Sequence, residues 1–344
     1  MLANLLEALY NKVLINIVVK RSTTEVYIEL CSKKGVISHA SEQFETNGVN
    51  DKMLAYIEEA IKESPYYYIA ILDFSKEQGA IPTCNKHKLD YYYDTSASEY
   101  KCFNDTWTFY TSKTDLYEVE KSYKDFGVDF VFSPFSILYN FFQEKIESHI
   151  AMFILVQESV LSLCVFDNGK LLYGEHLDLE TQETIDDELL SNSMDDSSIE
   201  LDDGIDLEEI DALEDIDSLE GLDDFEEFGD IEDLETLEDI DEFSENQDIE
   251  EEFYEAEEPL AEASDESFNE DYQRFSLIQS SLGHFYHSDK YESTFVESVY
   301  IADGVGVSSD LKRYLEEEMF LNVYVRHADL GVELAEITKM ELGL

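Results

Sequence analysis

The sequence predicts a mixed α/β fold made of two related halves and interrupted by a long acidic insertion. Three observations carry that reading. Three strand patterns, a helix, a strand and a helix near the start are met again after residue 150, with one further strand at the end. A stretch without a single Lys or Arg, residues 171–273, breaks into the second succession. What remains is rich in Tyr, Phe, Ile and Leu and can bury a core.

In the first half, residues 13–19 and 25–31 alternate like strands around "KRSTT", and "SKKG" turns the chain into a third strand near 36–44. Asn50 or Asp51 caps a helix whose apolar residues Met53, Leu54, Ile57 and Ile61 lie three or four apart, and Ser64-Pro65 ends it. "YYYIAILDF" is a buried strand. A Tyr-rich segment runs on to Gly127, with one strand in "TWTFYTS" and a helix closed by that glycine. "VDFVF" is a short strand, and Ser133-Pro134 opens a helix with a capping Ser and a Pro at its first position.

The second half opens with "AMFILVQ", "VLSLCVF", the tight turn Asp167-Asn168-Gly169 and "KLLYGEHL", three consecutive antiparallel strands. Beyond the acidic tract come a helix in "YQRFSLIQSSLGHFYHS" and a strand in "ESVYIA". The loop "DGVGVSS", a helix in "DLKRYLEEEMF" and the strand "LNVYVR" complete it. The organisation read this way is a first half at 1–150 with a small inserted subdomain at about 75–127, a second half at 151–182 plus 272–344, and the insertion at 183–271.

The formal charge is −59, and residues 183–271 hold 42 of the 81 acidic side chains. Outside them 39 acidic residues face 22 basic ones, a net of −17. From 207 to 243, in "LEEIDALEDIDSLEGLDDFEEFGDIEDLETLEDIDEF", every third residue is aliphatic or Phe. Such a row drifts about 60° per step around a helix and falls on both faces of a strand, so neither regular structure can bury it. With so many like charges in succession, a disordered chain is expected. It serves either as a solvated spacer or as a multivalent bait for a basic, grooved partner.

This charge repels phosphate backbones and anionic membrane surfaces, so neither nucleic acid nor lipid is expected as a direct partner. Cys31, Cys84, Cys102 and Cys164 form no CxxC pair and read as reduced thiols of a cytosolic chain. Cys84-x-x-His87 with Cys102, and His284 with His287, have spacings that a metal could use. Scattered thiols and an exposed helix end are the plainer readings, and no metal is assigned. The opening residues carry Glu7 and no small-residue cleavage site, so they do not read as a signal peptide. The longest uncharged apolar run, "FVFSPFSILYNFF", stops at thirteen residues, short of a membrane span.

The duplicated pattern is the architecture of the actin-like (ribonuclease H-like) fold, in which two related halves flank a nucleotide cleft. The segment "FSLIQSSLGHFYHSDKYESTFVESVYIADGVGVSSDLKRYLEEEMFLNVYV" resembles the close of the PilM/GspL family, actin-like proteins of type IV pilus and type II secretion assembly platforms. "ILVQESVLSLCVFDNGKLLYGE" resembles that family's second phosphate-loop hairpin. The resemblance implies a glycine loop against adenine, here Gly304 and Gly306, with Asp303 in place of the first residue of the family's run. For these two glycines a strand-to-helix turn is the competing reading. ATP-binding members start each phosphate hairpin with Asp-x-Gly, whose glycine lets backbone N–H groups reach phosphate. Here "INIVVKRSTTEV" has neither residue. In the second hairpin Leu155 or Val156 holds the acidic position and Glu158 stands where a glycine is expected.

The resemblance therefore implies a non-catalytic cytoplasmic scaffold of a pilus, secretion or DNA-uptake platform, with no cofactor and no catalytic residue. It is peripheral to the inner membrane and docks the cytoplasmic segment of a membrane partner on the first half. The acidic arm would recruit a second component such as a basic assembly ATPase. The alternatives are an actin-like ATPase with unrecognised phosphate loops, and an acidic chaperone or nucleic-acid mimic acting through the tract alone.

Overall fold

The computed structural model describes residues 10–179, 265–307 and 309–344, of which 265–269 are described as helix backbone only. β1 (Lys12–Val19), β2 (Thr24–Ser32) and β3 (Gly35–Phe44) form an antiparallel meander. Residues 13–18 are all buried, because both faces of β1 are covered. Helix α1 (Asp51–Ile61) is capped by Asn50, whose side chain accepts from the Met53 N–H at 2.9 Å, and it buries Met53, Ile57 and Ala60. β4 (Tyr67–Leu72) then returns parallel to β1.

The Tyr-rich segment follows as β5 (Gln78–Ile81), α2 (Lys86–Tyr92), β6 (Ser98–Phe103), β7 (Trp107–Ser112) and α3 (Lys113–Ser122). β8 (Phe130–Phe132) pairs parallel with β4, and α4 (Pro134–Phe141) and the single turn α5 (Gln143–Ile146) close the half. Ser133 caps α4 and Pro134 occupies its first turn.

β9 (Ala151–Val156), β10 (Val160–Asp167) and β11 (Lys170–Asp178) form the second meander. Asn168 and Gly169 both take positive φ, 46° and 81°, as a two-residue hairpin turn requires. Helix α6 (Asp265–His287), β12 (Ser298–Asp303), α7 (Ser309–Glu317), β13 (Asn322–His327) and α8 (Leu330–Leu342) complete the chain. β12 runs parallel to both β9 and β13.

The first sheet has the order β3-β2-β1-β4-β8, and the second contains β11-β10-β9-β12-β13. These are one topology twice, an antiparallel meander continued by two parallel strands from its first member. It is the duplicated actin-like fold. α1 and α3 cover the outer face of the first sheet, and α6 and α7 that of the second. Between the sheets lies a core to which α4 contributes Phe135, Ile137 and Leu138, and α8 contributes Leu330, Leu334 and Ile337. The helices cross over. α4 packs on β9 and β10, whereas α8 packs on β1, β2 and β4. A Cβ at Gly331 would lie 2.7 Å from Tyr27 Cβ, so the first turn of α8 can approach β2 this closely only as glycine. Across the same contact Lys339 pairs with the buried Glu29 at 3.1 Å.

Two expectations are corrected, the start of α6 and the reduced state of Cys84 and Cys102. The strands of the segment 75–127 are built onto the second sheet. β5 pairs with β11 through Gly174–Ala80 and Glu175–Gly79, so β5, β7 and β6 extend the second sheet to eight strands. α6 begins at Asp265 rather than near Tyr272. The remainder of the expected disordered tract lies outside the described residues. α8 follows the last strand marked by the sequence pattern. Cys84 and Cys102 are joined by a disulfide, while Cys31 and Cys164 are free and buried. The β6–β7 hairpin brings Cys102 back to the loop before α2, where Thr108 Oγ1 also donates to the Thr83 carbonyl at 2.7 Å.

Candidate functional site

In a duplicated fold of this kind the two β-hairpins face each other across a cleft. The first hairpin turns at Lys20–Thr23, closed by the Lys20 N–H donating to the Thr23 carbonyl at 2.8 Å. The second turns at Gln157–Val160, closed in the same sense at 3.0 Å. A backbone N–H at such a tip can cradle phosphate. Here the Arg21 N–H donates to Glu158 Oε2 at 3.0 Å, so a carboxylate from the opposite hairpin takes the donor.

The third wall is α6. Arg21 Nη1 reaches Glu270 Oε1 at 3.2 Å, and Arg274 pairs with Glu270 at 3.0 Å and Asp271 at 2.8 Å. Asp271 and Arg274 are 1% and 5% exposed, so this pair is desolvated and depends on its own geometry. Spacings of three and four residues put all three side chains on one face of the helix.

The fourth wall is the loop after β12. Asp303 accepts from the Val305 N–H at 3.0 Å and the Gly306 N–H at 2.8 Å through Oδ1. It accepts from the Val307 N–H at 2.9 Å through Oδ2. Gly306 has φ 81° and lines the cleft. Gly304 serves another purpose. Its N–H donates to the Val156 carbonyl at 3.0 Å, and an added Cβ would sit 2.8 Å from that oxygen. Both glycines therefore have a backbone reason independent of any ligand, the close approach of β12 to β9 and a left-handed turn.

The space between these walls is about 300 Å³, lined by Glu158, Glu270 and Asp271, by Arg21 and Arg274, and by Val305 and Gly306. Three carboxylates against two guanidiniums disfavour a polyphosphate, and Val305 is the apolar side chain available to a base. Sequence reasoning found Glu158, Asp303 and the glycines but missed Arg21, Glu270, Asp271 and Arg274. The signal was there in part, as Asp271-x-x-Arg274 has the spacing of a helical ion pair.

The metal spacings do not converge. Cys84 and Cys102 bond to each other, and among the described residues no group of three His, Cys, Asp or Glu is placed to hold an ion. His287 Nδ1 lies 2.7 Å from the Gly283 carbonyl of its own helix, and His284 lies 3.2 Å from the Tyr173 hydroxyl. Among the described residues no helix is long and apolar enough to cross a membrane.

The twice-repeated strand order and facing hairpins define an actin-like fold. Residues 152–343 match a family described as "Domain of unknown function (DUF8341)", and residues 10–139 match a second, "Domain of unknown function (DUF8569)". The first match spans more than half of the chain, which belongs to that family. Comparison with curated proteins gives no match.

Among solved structures, a Bacteroides thetaiotaomicron protein with an actin-like ATPase fold and unknown function aligns with a TM-score of 0.47 at 11% identity. That alignment covers 98% of this chain and 99% of the other. The PilM–PilN type IV pilus biogenesis complex aligns with a TM-score of 0.47 at 10% identity, over 93% and 89%. The ethanolamine utilization protein EutJ from Carboxydothermus hydrogenoformans gives 0.35 at 9% identity, over 94% and 89%. The fold assignment rests on the strand order of the two sheets rather than on these distant likenesses.

Proposed function

We propose that this chain is a non-catalytic actin-like scaffold, and that its nucleotide cleft has been converted into an internal ion-pair lock. The observation that carries this is the engagement of the cleft's donors by the chain's own carboxylates. Glu158 takes the Arg21 N–H, Asp303 takes three loop N–H groups, and Glu270 and Asp271 take the guanidiniums. A nucleotide would have to displace these groups and sit among the charges it repels. The sequence resemblance to the PilM/GspL family supports a place in a pilus, secretion or uptake platform. There the body docks the cytoplasmic segment of an inner-membrane protein. A body net of −17 favours a basic segment, and the acidic arm is suited to a basic second partner.

Titration with millimolar Mg-ATP tests the lock. A ligand at a hundred times its dissociation constant stabilises by about 2.7 kcal/mol, and no concentration-dependent rise in melting temperature is expected. A clear rise, lost when Gly306 is substituted, would restore the ATPase reading. For the partner, full-length protein and a form lacking residues 183–264, which spares α6, are used to pull on solubilised membranes. Recovery of the same membrane protein by both supports the scaffold. Recovery of basic soluble proteins alone, lost with the tract, favours the acidic mimic.

The Cys84–Cys102 bond bears on the compartment, because disulfides are rare in a reducing cytosol. Placement at the cytoplasmic face expects both sulfurs to be alkylated in intact cells. Resistance until a reductant is added would move the body to an oxidising compartment.

A further inference from the structure

The Tyr-rich segment picked out by the sequence has no part in the ion-pair lock, and it builds a second cavity. This lies where β5 meets β11, about 15 Å further along α6 than Arg274 if measured from His284 at the helical rise. Its volume is about 280 Å³, at the lower limit for small-molecule sites and suited to one side-chain head. Five tyrosines form its walls: Tyr92 and Tyr93 at the end of α2, Tyr110 on β7, Tyr173 on β11 and Tyr291 beyond α6. The Tyr93 and Tyr110 rings stack at 4.0 Å, Tyr173 meets Tyr291 edge-on at 4.8 Å, and Tyr92 lies 5.7 Å from Tyr291. Glycine at position 79 is what lets Tyr110 lie over the strand, since a Cβ there would be 2.5 Å from its hydroxyl.

The charged group of the lining is a carboxylate, Glu175. Glu175 Oε2 receives the Tyr173 and Ser281 hydroxyls at 2.5 Å each. Gln78 is 4% exposed, and its Nε2 donates to the Ser75 carbonyl at 2.6 Å. Its Oε1 is buried with no donor among the described residues. His176 beside it is pushed down to about 4 by burial and is neutral near pH 7. The lining contains no Lys or Arg. The lysines nearby are engaged elsewhere, Lys170 with Glu292 and Lys290 with the Tyr92 carbonyl.

Tyrosine rings around a carboxylate are complementary to a positive group that also donates hydrogen bonds. We propose that this cavity binds an organic cation with N–H donors, an ammonium or guanidinium group, carried either by a Lys or Arg of a peptide or by a free small amine. The assignment does not depend on the assembly role or on the state of the cleft. A cation held there would join β5 and α2 of the first half to β11 and α6 of the second.

The test uses the full chain at 0.15 M salt, where the long-range field of the acidic residues is screened. Binding of n-butylammonium, of a lysine-containing neutral-flank peptide and of n-pentanol is followed by ligand-observed NMR. Saturable binding of the two cations is expected, with pentanol at least about tenfold weaker. A peptide more than about tenfold tighter than butylammonium identifies the source as a protein side chain, and equal affinities identify it as a free amine. Tyr291→Leu should weaken butylammonium by about tenfold, while Tyr291→Phe, which keeps the ring face, stays within about threefold. Should Tyr291→Leu fail to fold, the cation-against-pentanol ratio on the unaltered chain decides. Equal binding of pentanol, no saturable cation binding, or an unchanged affinity in folded Tyr291→Leu would overturn the proposal.

Discussion

β3 ends the first meander and β11 ends the second, yet their surroundings differ. All of β3 except Phe44 is exposed, and no strand pairs with its outer edge among the described residues. In β11 Leu171, Leu172 and Tyr173 are buried, and β5 lies against the next two residues. The side chains explain the difference. β3 carries Ser38, His39, Ser41, Glu42 and Gln43, a polar edge that discourages pairing. β11 carries Gly174 opposite Ala80, and a Cβ at 174 would stand 2.6 Å from Ala80 Cβ. A shared topology thus fixes where an edge lies, and a few small or charged residues decide whether it is covered.

The largest expected effect tests whether the halves are separable at all. Leu334 on α8 is fully buried in the core between the sheets. Leu334→Ala should cost about 2–5 kcal/mol, and calorimetry should register one transition at lower temperature. Two resolved transitions would mean that the halves fold independently.

The next distinguishes the covered edge by pH. Burial holds His176 on β11 down at about 4, against the ordinary 6.5. The unfolded chain therefore binds the extra proton between these values, and stability falls as pH drops from about 6.5 to 4. The contribution is at most about 3 kcal/mol. The melting temperature of wild type, less that of His176→Gln, should fall through this window; a flat difference would contradict it.

Gly174→Val should cost about 1–3 kcal/mol by overpacking the β5–β11 joint, whereas Ser38→Val on the open edge should stay within about 0.5 kcal/mol. Similar losses in denaturant titrations would show that β11 is no better covered than β3. Smallest of all, Glu158→Gln should change stability by less than about 1 kcal/mol, because its bond to the Arg21 N–H lies at the surface. The same variant should remain without a response to Mg-ATP.

The strands and helices that read correctly from sequence are those whose burial follows a local rhythm. β1 and β9 are continuous apolar runs because both faces are covered, and Asn50 and Ser133 announce α1 and α4 by their caps. β5 is too short to alternate, and only its pairing with β11 makes it a strand. α8 starts at a recognisable cap, Asp329, but its Gly331 is explained by Tyr27, more than three hundred residues away in the chain. The candidate site divides similarly. Glu158 was legible as a charge in a phosphate position, while its contact with Arg21, 137 residues distant, was not. The disulfide was missed for the same reason. Spacing alone could not bring Cys102 beside Cys84 without the hairpin of β6 and β7.

The crossing of α8 onto β1, β2 and β4 also sets a timetable. When α4 has been made, the inner face of the first sheet still lacks the helix that covers it, and roughly 200 residues must be translated before α8 exists. At about 5–20 residues per second this interval is on the order of 10–40 s. During it the inner face of the first sheet, with Val18, Ala70 and Leu72, presents an apolar surface beside the ribosome while the charged middle of the chain and the second half emerge. Early chaperone contact is therefore expected on the N-terminal half, and release should coincide with the appearance of α8 rather than with completion of the first sheet.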